Sequence, residues 1–135
     1  MNGFEILEHR GDVKIRARGR TREELFQNAL EGMMAVLNAK FKVKNEKIRQ
    51  IRVEAPEINS LLVDFLSEVN YLRQVNMEAY RGITFSKFSD TALEGKLEGY
   101  SVEEFGEDIK AVTFHDLNIH QNEKGDWETD IVFDV

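Results

Sequence analysis

The sequence predicts an α+β fold, a single domain of residues 1–135 in which two helices pack on a mainly antiparallel β-sheet. Two segments place apolar residues every three or four positions, as amphipathic helices do. Several shorter segments alternate apolar and polar residues, and most of these follow the second helix. A chain of 135 residues, 41% of them hydrophobic, is long enough to form one core.

The two helices are predicted over residues 21–38 and 59–73. Thr21 and Glu24 have the spacing of a capping box, in which the Thr21 side chain accepts a backbone hydrogen bond and Glu24 reaches back to Thr21. The second helix has the most regular apolar spacing in the chain. The predicted buried stripes are Leu25, Phe26, Ala29, Leu30, Met33 and Leu37 in the first helix and Ile58, Leu61, Leu62, Phe65, Leu66, Val69 and Leu72 in the second.

Strands are predicted from alternation and from turn residues between the segments. The predicted strands cover residues 13–18, 51–55, 83–88, 92–100, 110–114, 117–121 and 127–133, with a short apolar stretch at 4–7. The lysine-rich residues between the first helix and Ile51 are predicted to be a connection. Gly125 is predicted to form the turn between the last two strands, because such a turn needs a residue that tolerates positive φ.

Composition excludes several classes of protein. The chain has no cysteine, which excludes disulfide frameworks and thiolate sites. It has no apolar run of the roughly 20 residues that a membrane span needs, and its first residues are too polar for a signal peptide. We therefore expect a cytoplasmic protein without a membrane partner. The usual glycine-rich nucleotide motifs are absent from the sequence.

Charge is distributed unevenly along the chain. Residues 1–55 carry 12 Lys and Arg against 8 Asp and Glu, whereas residues 56–135 carry 6 against 17. Six of the basic residues lie between Arg10 and Arg22. Three interpretations are open: a local RNA-binding patch, a solvated strand face, or a surface that matches an acidic partner.

Two groups of polar residues have spacings that could serve acid and base chemistry. Asp64 and Glu68 lie four apart on the predicted second helix, as paired carboxylates or as part of a solvated face. His115 directly precedes Asp116, which suggests a base oriented by a carboxylate. Adjacent residues of an extended chain point to opposite faces, so a structural or surface role for His115 is the simpler interpretation.

The ends of two predicted strands suggest a metal site. If strand 13–18 pairs antiparallel with strand 127–134, Asp12 lies beside Asp134, and the α-carboxylate of Val135 joins them. Carboxylates about 5 Å apart repel by roughly 3 kcal/mol per pair at an effective dielectric constant of about 20, so such a cluster needs protonation or a cation. Oxygen ligands suit hard divalent ions, and carboxylates completed by water favour calcium, with magnesium and manganese also open.

Four segments together resemble the archease family of small proteins that assist the tRNA-splicing RNA ligase. These segments are EHRGDVKI at 8–15, SLLVDFLSE at 60–68, IKAVTFHD at 109–116 and WETDIVFDV at 127–135. The chain departs from the family pattern in two places. Arg10 and Gly11 stand where a Thr-Ala pair is common, and the segment 101–108 is shorter than usual.

The resemblance implies a function in RNA joining. It implies that Asp12, Asp134 and Val135 bind a metal ion, and we add His9 and His115 as residues that support this site. It implies an accessory protein, not itself an enzyme, that promotes guanylylation of the ligase with GTP and allows multiple turnovers. Such a protein could reach tRNA indirectly through the ligase, while direct contact with RNA and the oligomeric state are left open.

Two functions of other classes remain as alternatives. The first is a small metal-dependent hydrolase that uses Asp12 and Asp134 with His115 as the base. The second is a chaperone-like partner of a tRNA-modifying methyltransferase, in keeping with the small size and acidic charge of the chain.

Overall fold

A computed structural model describes residues 3–9 and 11–135, apart from the side chains of Glu8, His9 and Lys44. The elements follow the chain as β1 (Phe4–His9), β2 (Asp12–Gly19), α1 (Arg22–Leu37), β3 (Ala39–Glu54), α2 (Ile58–Asn76), β4 (Glu78–Phe88), β5 (Ala92–Phe105), β6 (Ala111–Val112), β7 (His120–Gln121) and β8 (Trp127–Asp134). This arrangement confirms the predicted α+β class with two helices.

The strands form two antiparallel sheets, where the sequence analysis predicted one. The first sheet has the order β1-β2-β8-β6, with β7 also paired to β8. The second has the order β3-β5-β4. The sheets are separate because β3, β4 and β5 pair only among themselves, whereas β8 returns to pair with β2 near the start of the chain.

The helices begin and end close to the predicted residues. Thr21 caps α1 by accepting a hydrogen bond from the Glu24 amide at 3.1 Å, as predicted. The Glu24 carboxylate, however, accepts from the Arg20 amide at 3.2 Å instead of the amide of Thr21. The N-cap of α2 is Glu57, whose carboxylate accepts from the amides of Asn59 and Ser60.

The core lies where the apolar stripes of both helices meet the sheets. The prediction that Leu62, Phe65 and Leu66 are buried is confirmed, since all three have no exposed surface. Phe26 of α1 packs against Phe65 of α2 with ring centres 5.7 Å apart. This aromatic contact joins the two helices inside one hydrophobic cluster.

The lysine-rich segment before Ile51 was predicted wrongly, because it is part of a strand and not a connection. β3 begins at Ala39 and pairs with β5 along its length, apart from a register shift between Lys42 and Glu46. Residues 39–44 alternate apolar residues with lysines, a strand signal that the sequence analysis missed, although most residues between 40 and 50 are exposed.

Other strand boundaries also differ. β4 and β5 extend beyond the predicted strands, to Glu78 at one end and to Phe105 at the other. β6 and β7 contain two residues each, because a turn closed by a hydrogen bond from the Leu117 amide to the Phe114 carbonyl interrupts this segment. Gly125 has a φ of 82° in the turn before β8, as predicted.

No helix among the described residues has the length and apolar character that a membrane span requires.

Candidate functional site

The first sheet places two aspartates opposite each other at one end. β2 and β8 pair antiparallel with Asp12 in register with Asp134, so the predicted placement of these residues is confirmed. Residues directly opposite each other in an antiparallel pair share a face, with Cβ atoms about 5 Å apart. Asp134 is exposed and Asp12 is partly exposed, so both lie within reach of solvent.

The last residues of the chain are held in place on both sides of Asp134. The Lys110 amide donates to the Asp134 carbonyl at 2.7 Å, and Ala111 of β6 is in register with Asp134. The Val135 side chain is partly buried and packs against the hydrophobic core. The carboxyl end of β8 therefore has a defined position beside Asp12.

The structure describes the side chain of His115 but not that of His9. The backbone of His9 is in register with Asp12, but its side chain lies outside the described residues, so its supporting role stays a prediction. His115 is 65% exposed, and its Nε2 atom lies 3.7 Å from a carboxylate oxygen of Asp116. The expectation that these neighbours point to opposite faces was wrong, because Asp116 has a φ of 60° and the chain is not extended there.

The basic residues of β2 form ion pairs across the first sheet. Arg16 donates two hydrogen bonds to the Asp130 carboxylate, at 2.8 and 3.2 Å, and Asp130 raises the pKa of this guanidinium. The other pairs are Lys14 with Asp116 and Asp130, and Arg18 with Glu5 and Glu128. The face is charged and partly exposed, but each of these cations has an acidic neighbour within the protein.

The carboxylates at the end of the sheet fit a hard cation by their chemistry. Among the side chains that the structure describes, which exclude those of Glu8 and His9, no three of His, Asp or Glu lie together as a metal site. The predicted set has two such side chains, Asp12 and Asp134, and takes its third ligand from the α-carboxylate of Val135. All of these ligands are oxygen atoms, which calcium and magnesium prefer.

Comparison with known proteins decides the family. The profile of the Archease protein family matches residues 4–135, which is nearly the whole chain. The chain belongs to the archease family. The match includes both aspartates at the end of the first sheet, and it confirms the resemblance found in the sequence.

Individual archeases and related structures agree with this assignment. The protein archease of Methanosarcina barkeri is 33% identical over 140 residues, covering 98% of this chain and 95% of that protein. A solution structure of Methanobacterium thermoautotrophicum protein 1598 shares 26% identity with a TM-score of 0.74, covering 100% of both chains. A crystal structure described as an archease and possible chaperone from Thermotoga maritima has the same fold, with 22% identity, a TM-score of 0.66 and coverage of 96% and 94%.

This member of the archease family also contains a buried polar group that sequence reasoning missed. Arg73 of α2 is 3% exposed, and its Nε donates to the Asn70 side chain at 2.7 Å. Asn70 and Arg73 continue the buried face of α2. Each lies four positions after a buried apolar residue, Leu66 for Asn70 and Val69 for Arg73. Polar residues at such buried positions were the available signal, because a buried polar side chain requires a partner.

A second buried group lies in the second sheet. Arg49 of β3 donates two hydrogen bonds to Glu78 of β4, at 2.9 and 2.7 Å, and Glu78 is 1% exposed. The bonds from Arg49 lower the pKa of Glu78. The Tyr80 hydroxyl donates to the same carboxylate at 2.9 Å, and burial together with this bond raises the pKa of Tyr80. This group lies on the other sheet from Asp12 and Asp134.

Proposed function

We propose that the protein activates a GTP-dependent RNA ligase of the tRNA-splicing type, which joins 3′-phosphate and 5′-hydroxyl RNA ends. The observation that carries this proposal is the archease match over residues 4–135, because it includes both strand ends that bear the paired aspartates. The protein acts as an accessory factor that promotes guanylylation of the ligase with GTP. It is brought to tRNA by the ligase.

Asp12, Asp134 and the α-carboxylate of Val135 hold a divalent cation in this proposal. The register of β2 and β8 supports it, because it places two carboxylate side chains within reach of one ion. Calcium fits best because carboxylates completed by water suit its loose coordination, and magnesium or manganese would use the same oxygens. The bound divalent cation would offset two of the three negative charges of the cluster.

The position of the cluster at the end of a sheet lets it meet a partner. Asp134 is exposed and is the last residue of β8, and the Lys110 amide holds its backbone. The chain therefore presents its carboxylates on a rigid support, a property that a site of molecular recognition requires. In this proposal the cluster docks at the nucleotide or metal site of the ligase, where it orders or transfers an ion.

Turnover of the ligase tests the proposal. Purified ligase from the same organism receives GTP, a divalent metal and RNA with a 3′-phosphate and a 5′-hydroxyl, with and without this protein, and joined ends per ligase are counted. We expect multiple turnovers only with the protein present. Asp12→Asn and Asp134→Asn should abolish activation, whereas Asp64→Asn, the same change on the exposed side of α2, should not. Equal turnover without the protein contradicts the proposal.

The two alternatives make different predictions for the same preparations. The hydrolase has the contact of His115 with Asp116 in its favour and predicts turnover of generic phosphate esters by the protein alone. The methyltransferase partner has in its favour the description of the Thermotoga maritima archease as a possible chaperone. It predicts copurification with a tRNA-modifying methyltransferase instead of the ligase.

A further inference from the structure

Arg73 connects the end of α2 to the loop before β6. Its Nη2 atom donates to the Asp108 carboxylate at 2.7 Å and to the Ile109 carbonyl at 3.0 Å, while its Nε donates to Asn70. The guanidinium also lies 5.0 Å from the centre of the Phe105 ring. A buried arginine is costly unless its donors are satisfied, and here they hold residues 105–109 against the helix.

The Ile109 carbonyl accepts a second hydrogen bond from this group. The Asn70 side-chain amide donates to it at 3.0 Å, so two side chains of α2 meet at one carbonyl oxygen. The Ile109 side chain is fully buried, which fixes the position of the residue separately from the orientation of its carbonyl. The two donors therefore select the orientation of the peptide group that follows Ile109.

The peptide group between Ile109 and Lys110 also donates a hydrogen bond to the candidate site. The Ile109 carbonyl and the Lys110 amide belong to one planar unit, so fixing the direction of the carbonyl fixes the direction of the N–H. The Lys110 amide donates to the Asp134 carbonyl at 2.7 Å. A rigid connection thus runs from α2, through one peptide plane, to the residue opposite Asp12.

We infer that Arg73 and Asn70 are positioning residues for the carboxylate cluster, because they orient the peptide group that holds Asp134 opposite Asp12. The part of this inference that concerns metal affinity rests on the proposed function. Groups that orient metal ligands from outside the ligand set typically change metal affinity by about 10- to 100-fold when they are removed.

Hydrogen exchange of the Lys110 amide, followed by NMR in metal-free protein, tests the structural part. In Arg73→Met and in Asn70→Ala we expect this amide to exchange about tenfold faster, because its peptide plane loses one or both restraints. Arg73→Lys can restore one donor. In this variant the exchange rate of the Lys110 amide should lie between the rates in the wild type and in Arg73→Met. The Asp108 side chain is 58% exposed, so Arg73→Met leaves no buried unpaired charge and the protein should fold.

Two control variants separate positioning from general stability. Asp108→Asn weakens the ion pair but keeps the bond from Arg73 to Ile109, so Lys110 exchange should stay near the wild-type rate. Val53→Ala destabilises the core at β3, in the other sheet, and should lower the melting temperature without a selective effect on Lys110. Exchange at Lys110 that is unchanged in both Arg73→Met and Asn70→Ala overturns the inference.

Calcium titration by calorimetry tests the functional part in the same variants. We expect the affinity of Arg73→Met and Asn70→Ala to fall by about tenfold, with Asp108→Asn and Val53→Ala unchanged. Faster exchange at Lys110 with unchanged calcium affinity also overturns the inference, because the peptide group would then hold the strand without affecting the carboxylates. If the wild type binds no calcium, the proposed metal site fails, and Lys110 exchange alone decides whether Arg73 and Asn70 position Asp134.

Discussion

The effect of calcium on the stability of Asp134→Asn is the sharpest test of the carboxylate cluster. Asp134 lies opposite Asp12 in the sheet. Two unit charges about 5 Å apart repel by roughly 0.8 kcal/mol at the dielectric constant of water and by roughly 3 kcal/mol at a value of about 20. Because Asp134 is exposed, the lower end applies. Removing its charge should therefore stabilise the metal-free protein by about 1 kcal/mol.

Calcium should reverse this order. A ligand that binds only the folded state stabilises it by about 2.7 kcal/mol when its free concentration is 100 times its dissociation constant. The wild type should gain this amount, whereas Asp134→Asn loses a charged ligand and should gain much less. The variant should thus be the more stable protein in EDTA and the less stable protein in saturating calcium.

Thermal unfolding at pH 7, in EDTA and in calcium, measures both effects. For a chain of 135 residues, 1 kcal/mol corresponds to a shift of about 4 °C in melting temperature. Asp64→Asn is the matched control, because it removes the same charge from an exposed position on α2 and should leave the calcium response intact. The reasoning is refuted if Asp134→Asn is less stable than the wild type in EDTA, or if both proteins gain equally from calcium.

Three further predictions concern single groups of the structure. A peptide tag fused after Val135 turns its α-carboxylate into an amide, so calcium affinity measured by calorimetry should fall; unchanged affinity would remove this group from the ligand set. Hydrogen bonds from the side chain and amide of Ser60 lower the pKa of Glu57 to about 2. The carboxylate therefore stabilises α2 above a pH of about 4.5, the usual pKa, and this contribution is lost as the pH falls towards 2. Glu57→Gln should melt below the wild type at pH 7, and the difference should shrink at pH 3; a difference independent of pH contradicts this assignment. Glu78→Gln breaks a buried pair with Arg49 and should destabilise the protein by about 2 kcal/mol in urea unfolding, since Arg49 keeps partial access to water; an effect below about 0.5 kcal/mol would show that this pair adds little to stability.

The helices were predictable because their signals are local and repeated. Each apolar stripe recurs over several turns, so an error at one residue does not change the assignment. The capping side chain of Thr21 is also a local signal, and it acts as predicted. The start of α2 was displaced from Asn59 to Ile58 because its cap is a glutamate, which lies outside the residues usually preferred there.

The strands were predictable only where one face is buried. β2 alternates clearly, with Ile15 facing the core and Arg16 facing outward, and β8 repeats this at Ile131 and Asp130 although its last apolar residues are all buried. The first half of β3 alternates apolar residues with lysines, but Phe41 and Val43 are exposed there, and its pairing with β5 depends on backbone hydrogen bonds to a distant segment. Pairing partners far apart in sequence leave little trace in local composition.

In the candidate site, the contacts between clear strands could be predicted, whereas the contacts made by irregular segments could not. The placement of Asp12 beside Asp134 could be predicted because both residues lie at the ends of clear strands, and antiparallel pairing then fixes their register. The contact of His115 with Asp116 could not, because it depends on a positive φ in an irregular segment. The hydrogen bond from Arg73 to the Ile109 carbonyl also escaped prediction, since it joins a helix to a loop 36 residues further along the chain.

The charges along β2 show why the end of the strand differs from its middle. Arg16 and Arg18 face acidic residues of β8 in register, so the pairing of opposite charges supports the sheet. Asp12 lies on the same face, but the register places another aspartate opposite it. Like charges in this position oppose the pairing of strands, and moving either aspartate away is prevented by the bonds that hold the end of β8. The register thus keeps two carboxylates side by side at this end of the sheet, as the proposed cation site requires.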